Sequence, residues 1–304
     1  MAQNPSVLVT APETVTTFKE HTVGVLRGLR RFAEKQPVGT ASGVVLAVII
    51  LLAVASPLIA PHNPIEGHFT AINQPPDSEY LLGTDRVGRD VLSRVIYGAR
   101  ISLLVAFVAV IVGDALGAMW GIASGYLGGK FDIYSQRIVE LLLSFPTLIL
   151  AMVLLLGLGA GVFTVIVAIA ITRIPLSVRV IRSVSLSVKE NAYVEAARAI
   201  GASDLRVMGL HIAPQCLAPW LVLVTAQLGG VIVLEASLGF LGVGVPAPTA
   251  TWGNMLGGAV AATLKPEWWL VVFPGVAITI TVLAFNLFGD SIRDALDPKL
   301  RGNT

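Results

Sequence analysis

The sequence predicts an all-α integral membrane protein with about six transmembrane helices, and three observations carry that prediction. Hydrophobic residues make up 55% of the 304-residue chain and charged residues only 13%, and the mean hydropathy of +0.79 is far above that of a soluble globular domain. Apolar runs of roughly twenty residues, the length that crosses the hydrocarbon layer, recur along the chain. Lys and Arg are distributed unequally between the connecting segments, which sets a direction of threading. The same composition excludes other classes. A net charge of +2 without a basic run gives no nucleic-acid footprint. The single cysteine, Cys216, excludes an intrachain disulfide framework, and no Cys/His cluster has the spacing of a metal site.

The expected spans run over 41–60, 101–124, 139–158, 162–178, 217–241 and 269–289. Lys19, Arg27, Arg30, Arg31 and Lys35 precede the first span and hold the amino end in the cytoplasm. Threading six spans puts Lys130, Arg137, Arg179, Arg182, Lys189, Arg198, Arg206, Arg293, Lys299 and Arg301 on that side. The opposite side receives Arg86, Arg89, Arg94, Arg100 and Lys265, so both termini are expected to be cytoplasmic. The resulting division is an amino-terminal extension 1–40, a first span 41–60, an extracytoplasmic loop 61–98, a core 99–290 of five spans with a cytoplasmic loop 179–215, and a cytoplasmic tail 291–304. The polar leader is too long for a cleaved signal, so the first span is expected to remain as an anchor.

Within the second span Gly113, Gly117, Gly121 and Gly125 recur every fourth residue and share one helix face. Such a face serves helix packing, or an interface that moves. Pro146, Pro175 and Pro274 fall inside the third, fourth and sixth spans and are expected to bend them. Asp114, Glu140, Arg173, Glu235 and Asp290 are charges within or at the ends of spans, each a candidate for a structural ion pair or an interface. Glu235, followed by Ala236 and Ser237, lies deep in the fifth span among small residues, which makes Glu235 and Ser237 candidates for a translocation path. Trp268 and Trp269 are expected to mark a membrane interface.

The loop between the fourth and fifth spans reads Asn191-Ala192-Tyr193-Val194-Glu195-Ala196-Ala197-Arg198-Ala199-Ile200-Gly201-Ala202-Ser203-Asp204. An alanine-rich helix should end with Gly201 at the left-handed C′ position. Ser203 or Asp204 should then cap a second helix leading to Pro214. The product is a helical knob that a soluble partner could grip, or an amphipathic surface helix with no partner. In the outer loop, Gly83, Thr84, Asp85, Gly88, Arg89 and Asp90 alternate charges around turn-forming glycines. They suit an internal salt-bridge network, or a docking surface for another protein.

Glu195-Ala196-Ala197, with Gly201 and Pro214 following, resembles the EAA signature of bacterial ABC-importer permeases, the segment that docks into the ATPase subunit. His211 and Ala213 depart from that pattern, and Ile212 stands as the substitute apolar contact. The stretch from Leu82-Gly83-Thr84-Asp85 through Gly88-Arg89-Asp90 to Leu92-Ser93-Arg94 is similar to a segment of the C-type permease subunit of dipeptide, oligopeptide and nickel importers. Glu235-Ala236-Ser237-Leu238-Gly239-Phe240-Leu241-Gly242, Gly125-Tyr126-Leu127-Gly128-Gly129 and Arg293-Asp294-Ala295-Leu296-Asp297-Pro298 extend the likeness over nearly everything after residue 40. The resemblance implies a type I ABC importer permease fold in a bacterial plasma membrane. It implies a homologous B-type permease, two ATPase subunits that bind ATP and Mg, and an extracytoplasmic solute-binding protein as partners. Coupling would fall to Glu195, Ala196, Ala197, Gly201, Ile212 and Pro214, and the cargo would be di- or oligopeptides, with nickel chelates, glutathione and other peptide-like solutes as alternatives.

The chain itself has no phosphate loop, because the near match ending Gly129-Lys130-Phe131 lacks the first glycine and the hydroxyl. None of His21, His62, His68 or His211 lies in an expected span, so a membrane protease would lack its base. A transport subunit without its own ATPase site is therefore the expected class. An ion-coupled secondary transporter is the alternative, against which the cytoplasmic knob counts.

Overall fold

A computed structural model of the chain describes residues 33–262 and 266–296. The leader residues Lys19, Arg27, Arg30 and Arg31, His21, Lys265, and the tail residues Asp297, Pro298, Lys299 and Arg301 lie outside the described residues. Eleven helices organise the rest: α1 Pro37–Val54, α2 Ser56–Ile59, α3 Val91–Leu127, α4 Gly129–Leu143, α5 Thr147–Leu158, α6 Val162–Val188, α7 Ala192–Ala199, α8 Asp204–Val207, α9 Ala213–Phe240, α10 Trp252–Ala262 and α11 Trp268–Leu296. No β-strand occurs among the described residues.

Five helical stretches are long and apolar enough to cross a membrane: α1, α3, α6, the continuous rod Asp204–Phe240 and α11. The expected third span is not one straight helix. It divides into α4 and α5, bent by 93°, because the chain breaks at Ser144-Phe145-Pro146 and Pro146 becomes the residue preceding α5. A proline lacks the amide that would continue α4's ladder, and it disfavours helical backbone in the residue before it.

The α3–α6 seam shows why this bent pair still makes a crossing. Gly113 packs on Ala170 and Arg173, Gly117 on Ile174 and Ser177, Gly121 on Val178 and Ile181, and Gly125 on Arg182 and Ser185. Residue numbers rise together on both helices, so α3 and α6 run parallel. The chain between them must return to its starting side, and α4 with α5, roughly 40 Å of helix at 1.5 Å per residue, is the return stroke. A Cβ at these glycines would stand 2.5 to 2.8 Å from the nearest α6 atom. Two hydrogen bonds lie along the contact, Ser177 Oγ to the Asp114 carbonyl at 2.8 Å and Ser185 Oγ to the Ile122 carbonyl at 3.1 Å.

Helix α11 runs antiparallel to α9, with Gly229 against Asn286 and Gly289 against Thr225. Helix α1 lies beside α11 through Gly43 and Phe288. The described stretch therefore begins and finishes at one end of the bundle, the end that carries α7 and α8. The other end carries the 55–90 loop and α10, which sequence periodicity did not predict. Helix α10 is an eleven-residue helix, about 17 Å long and too short to span. It lies on α9 where Gly253 meets Ala236 and Gly257 meets Phe240.

Several helices overshoot the expected spans. Helix α3 has 37 residues, about 55 Å against a hydrocarbon layer of about 30 Å, so it protrudes from the bilayer. Asp90 caps its start by accepting from the Ser93 amide at 2.9 Å.

The seam yields a comparison of two alanine substitutions. Gly117→Ala places a Cβ 2.5 Å from that of Ser177 and should cost about 1–3 kcal/mol. Gly157→Ala, with no atom within 4 Å of its added Cβ, should be neutral or stabilising by up to about 1 kcal/mol. Thermal unfolding of the detergent-solubilised chain, followed by size-exclusion recovery, would show a lowered midpoint for the first alone. Equal midpoints would contradict the close-packed seam.

Candidate functional site

The knob is built from two helices locked to the bundle. Helix α7 ends with Gly201 at φ +86°. The Ala202 amide reaches the Ala197 carbonyl at 3.0 Å and the Gly201 amide reaches Arg198 at 2.9 Å, the paired bonds of a Schellman motif. Ser203 occupies the position before α8, but its hydroxyl makes no cap bond. Asp204 serves a different purpose, accepting from the Tyr126 hydroxyl at 2.8 Å. Arg198 lies over the Tyr126 ring, 4.7 Å from its centroid, and its Nε donates to the same hydroxyl at 3.3 Å. Tyr126, at the end of α3, is thus the anchor of the knob.

Beneath it Tyr126, Ile181, Val188, Val194, Ala197, Val207, Ile212 and Cys216 form a second apolar core. Two of the residues assigned to coupling are buried by this packing. Ile212 is fully buried and Ala197 is 7% exposed, because their helix faces point at the bundle. Glu195, Ala196, Gly201 and Pro214 are exposed. The apolar residues that do face outward are Ile200 at 87%, Leu205 at 79% and Leu210 at 61% exposed, a ridge that sequence reasoning missed. From α8 the chain passes through a π-turn, Met208–Ile212, directly into α9. The wider turn accommodates the amide that Pro214 lacks. The second arm of the knob and the fifth span are therefore one rod.

At the opposite end, Thr84 and Asp90 form an isolated antiparallel bridge that closes a small hairpin with Gly88 at φ +77°. A Cβ at Gly88 would lie 2.0 Å from the His68 carbonyl, so only glycine fits this turn. Asp85 accepts from the Val87 and Arg89 amides at 2.9 and 3.0 Å. Its carboxylate pairs with Arg89 Nε at 2.7 Å and faces Arg94 Nε at 3.6 Å. Thr84 Oγ1 donates to the Ala71 carbonyl and accepts from the Gln74 amide at 2.8 Å. Nearby, amide donors led by Tyr80 hold the Asp77 carboxyl below the usual carboxylate range.

Trp269 is 5% exposed and donates to the Thr84 carbonyl at 3.1 Å. It pins this loop rather than marking an interface, and Trp268, 57% exposed, is the outward indole. Gly83, at φ +76°, sits against the Trp269 ring.

The charges within spans separate into distinct environments. Glu140 forms an exposed i,i+3 pair with Arg137 at 2.9 Å, and Asp290 is exposed. Asp114 is fully buried on the α3–α6 seam. Neither of its carboxylate oxygens, nor Nε and Nη2 of Arg173, has a hydrogen-bond partner among the described residues.

Glu235 is 1% exposed and sealed inside the chain, so it does not line an open face. Ser102 of α3 and Thr251 at the start of α10 are its polar neighbours, although neither closes a hydrogen bond of normal geometry to the carboxylate. Ser102 Oγ accepts from the Trp252 amide at 3.3 Å. Glu235 thus lies where α3, α9 and α10 converge. The partly exposed Ser237 turns its hydroxyl back to the Val233 carbonyl at 2.7 Å. A further tie, absent from the sequence reading, joins α4 to α6: Arg182 holds Asp132 through Nε at 2.6 Å and Nη2 at 2.5 Å.

Comparison with known proteins matches two family models. Residues 117–302 match the binding-protein-dependent transport system inner membrane component, and residues 27–76 match the N-terminal TM domain of oligopeptide transport permease C. The probable D,D-dipeptide transport system permease protein DdpC of Escherichia coli (strain K12) is 41% identical, covering 88% of this chain and 89% of its own. The di/tripeptide transport system permease protein DppC of Pseudomonas aeruginosa (strain UCBPP-PA14) is 36% identical over 99% of this chain and 96% of its own. The glutathione transport system permease protein GsiD of Escherichia coli O1:K1 / APEC is 41% identical over 90% of each. Among solved structures, a chain of the MetNI methionine ABC transporter in inward facing conformations shares the fold, with a TM-score of 0.54 and 21% identity, over 67% of this chain and 96% of that one.

The Tyr126 anchor can be tested without disturbing packing. Tyr126→Phe removes only the hydroxyl shared by Asp204 and Arg198. The hydrogen-bond loss, about 1 kcal/mol, should give roughly fivefold faster amide exchange in 192–207, with the α3–α6 seam unchanged. Unchanged protection of the knob would show that the apolar core alone holds it.

Proposed function

We infer a transport function from a plain membership: the chain belongs to the family of binding-protein-dependent transport system inner membrane components. It is a multi-pass membrane protein, and we propose that it is one permease subunit of an ATP-driven importer in a bacterial inner membrane. Its partners are a second, homologous permease, two ATPase subunits and an extracytoplasmic solute-binding protein. ATP and Mg bind to the ATPases, and this chain contributes no phosphate loop of its own. The end bearing Lys130, Arg137, Arg179, Arg182, Lys189, Arg198 and Arg206 faces the cytoplasm, as the positive-inside rule directs. The names of relatives such as the dipeptide and di/tripeptide permeases support short peptides as cargo. The glutathione permease relative extends that class to other peptide-like solutes.

The observation that carries the mechanism is the continuous rod from Asp204 to Phe240. Its cytoplasmic end is part of a knob presenting Glu195, Ile200, Leu205 and Leu210 to a soluble partner. Its far end holds Glu235 and supports α10. An ATPase subunit that grips the exposed ridge and closes on ATP would displace the knob, and the displacement would reach the outer end without passing through a flexible joint. Glu235 then sits where that motion arrives, buried between α9, α3 and the start of α10, and not as a lining of the path.

The test is recovery of partners from gently solubilised membranes. Leu205→Asp and Glu195→Arg change exposed side chains, so they should leave the chain folded and bound to the second permease. The ATPase should be lost and ATP-driven peptide uptake should fall at least tenfold. If both variants recover the ATPase as the wild type does, the knob is not the coupling surface.

A further inference from the structure

At the end of the bundle opposite the knob, a cavity of about 150 Å³ opens between the 83–94 hairpin and α10. That is roughly ten times the space a single ordered water needs. Arg86, Arg89, Arg94, Asn73, Asp85 and Glu267 all line it. Its charges are unevenly satisfied. Asp85 is shared between Arg89 and Arg94, so one carboxylate offsets two guanidinium groups. Arg94 is only 4% exposed and is held by the Pro64 carbonyl at 2.8 Å. Among the described residues, Arg86 on one wall and Glu267 on the other form no ion pair, with each other or with a third group. Both side chains are exposed.

The wall that carries Arg86 is rigid. The Asp85 amide bonds to the Arg89 carbonyl at 2.9 Å and the Val91 amide to that of Gly83 at 3.0 Å. Gly83 and Gly88 hold their turns at φ values open chiefly to glycine. A hairpin fixed in this way holds the backbone at Arg86 in place, so binding there need not order the loop as well as the side chain. Guanidinium groups bind carboxylates in a two-pronged geometry, and the unpaired Glu267 suits an ammonium.

We propose that this cavity binds a short zwitterionic peptide, with Arg86, in the field of Arg89 and Arg94, taking the terminal carboxylate and Glu267 facing the terminal ammonium. This rests on the peptide-importer reading and adds to it a solute site on the outer face of this chain. Such a site would receive solute before the path opens.

The test uses the assembled importer in lipid nanodiscs without its solute-binding protein, and equilibrium dialysis against radiolabelled Ala-Ala. The wild-type complex should retain Ala-Ala. Retention should weaken at least tenfold for the carboxyl-amidated peptide and for Arg86→Ala, with Arg86→Lys recovering much of it. Glu267→Gln should weaken Ala-Ala but leave N-acetylated Ala-Ala unaffected. Absence of retention by the wild type, or retention indifferent to amidation and to Arg86→Ala, would overturn the proposal. So would unchanged Ala-Ala retention by Arg86→Ala together with weaker binding of the solute-binding protein when it is added back, since the cavity would then recognise a protein surface. ATP-driven uptake by the complete wild-type system, measured in parallel, reads the underlying function separately. A system that takes up no peptide fails as a peptide importer, while the dialysis still decides what the cavity binds.

Discussion

The close backbone contact between α3 and α6 organises the molecule. Glycine at every fourth position lets two parallel helices approach until any larger side chain would collide with α6 atoms, and in lipid such packing is a main source of helix association. Because the helices are parallel, the chain between them must cross back, which gives the bent α4–α5 pair its place. Their ends also carry the knob and the outer hairpin. At one end Tyr126 of α3, with Ile181 and Val188 of α6, forms the seat of the knob. At the other, the start of α3 continues from the 83–90 hairpin, capped by Asp90.

From that seat the knob connects to the bundle in two ways. Tyr126, Asp204 and Arg198 fasten it to α3, and the π-turn at Met208–Ile212 joins it to α9 without a break. A force on the knob would therefore tilt the bundle rather than flex a loop. Beside the buried Glu235, the Trp252 amide donates to Ser102 Oγ at 3.3 Å and connects the outer helix to the same body. The bond from the Trp252 indole to the Val95 carbonyl at 3.0 Å adds a second connection between α10 and α3.

Features set by local chemistry were legible in the sequence. The apolar runs, the four-residue glycine spacing and the Gly201 terminator each follow from residues close together in the chain. What was missed depends on residues far apart. The environment of Glu235 is made by Ser102 and Thr251, and nothing in residues 233–237 indicates which side of the helix they occupy. Trp269 reads locally as an interfacial indole, yet its donor meets a carbonyl 185 residues away. Ile212 fits an outward apolar contact in linear sequence, but the π-turn fixes its face inward, and the ridge falls instead to Ile200, Leu205 and Leu210. Helix α10 was invisible for a different reason: its small residues give neither the length of a span nor a polar face.

The claim that the knob and bundle move as one body is tested most directly by distance measurements between spin labels. Cys216, buried in the second core, would first be replaced by serine. Labels at the exposed Ser203 on the knob, outside the Ile200, Leu205 and Leu210 ridge, and at Val233 on α9 would report motion within the chain, and a label at Ser203 paired with one on the second permease would report motion between subunits, in nucleotide-free and ATP-trapped transporter. The account predicts a within-chain distance that does not change and a between-chain distance that shifts by several ångströms. A within-chain distance that shifts while the between-chain distance stays fixed would contradict it, because the knob would then flex locally without carrying the bundle.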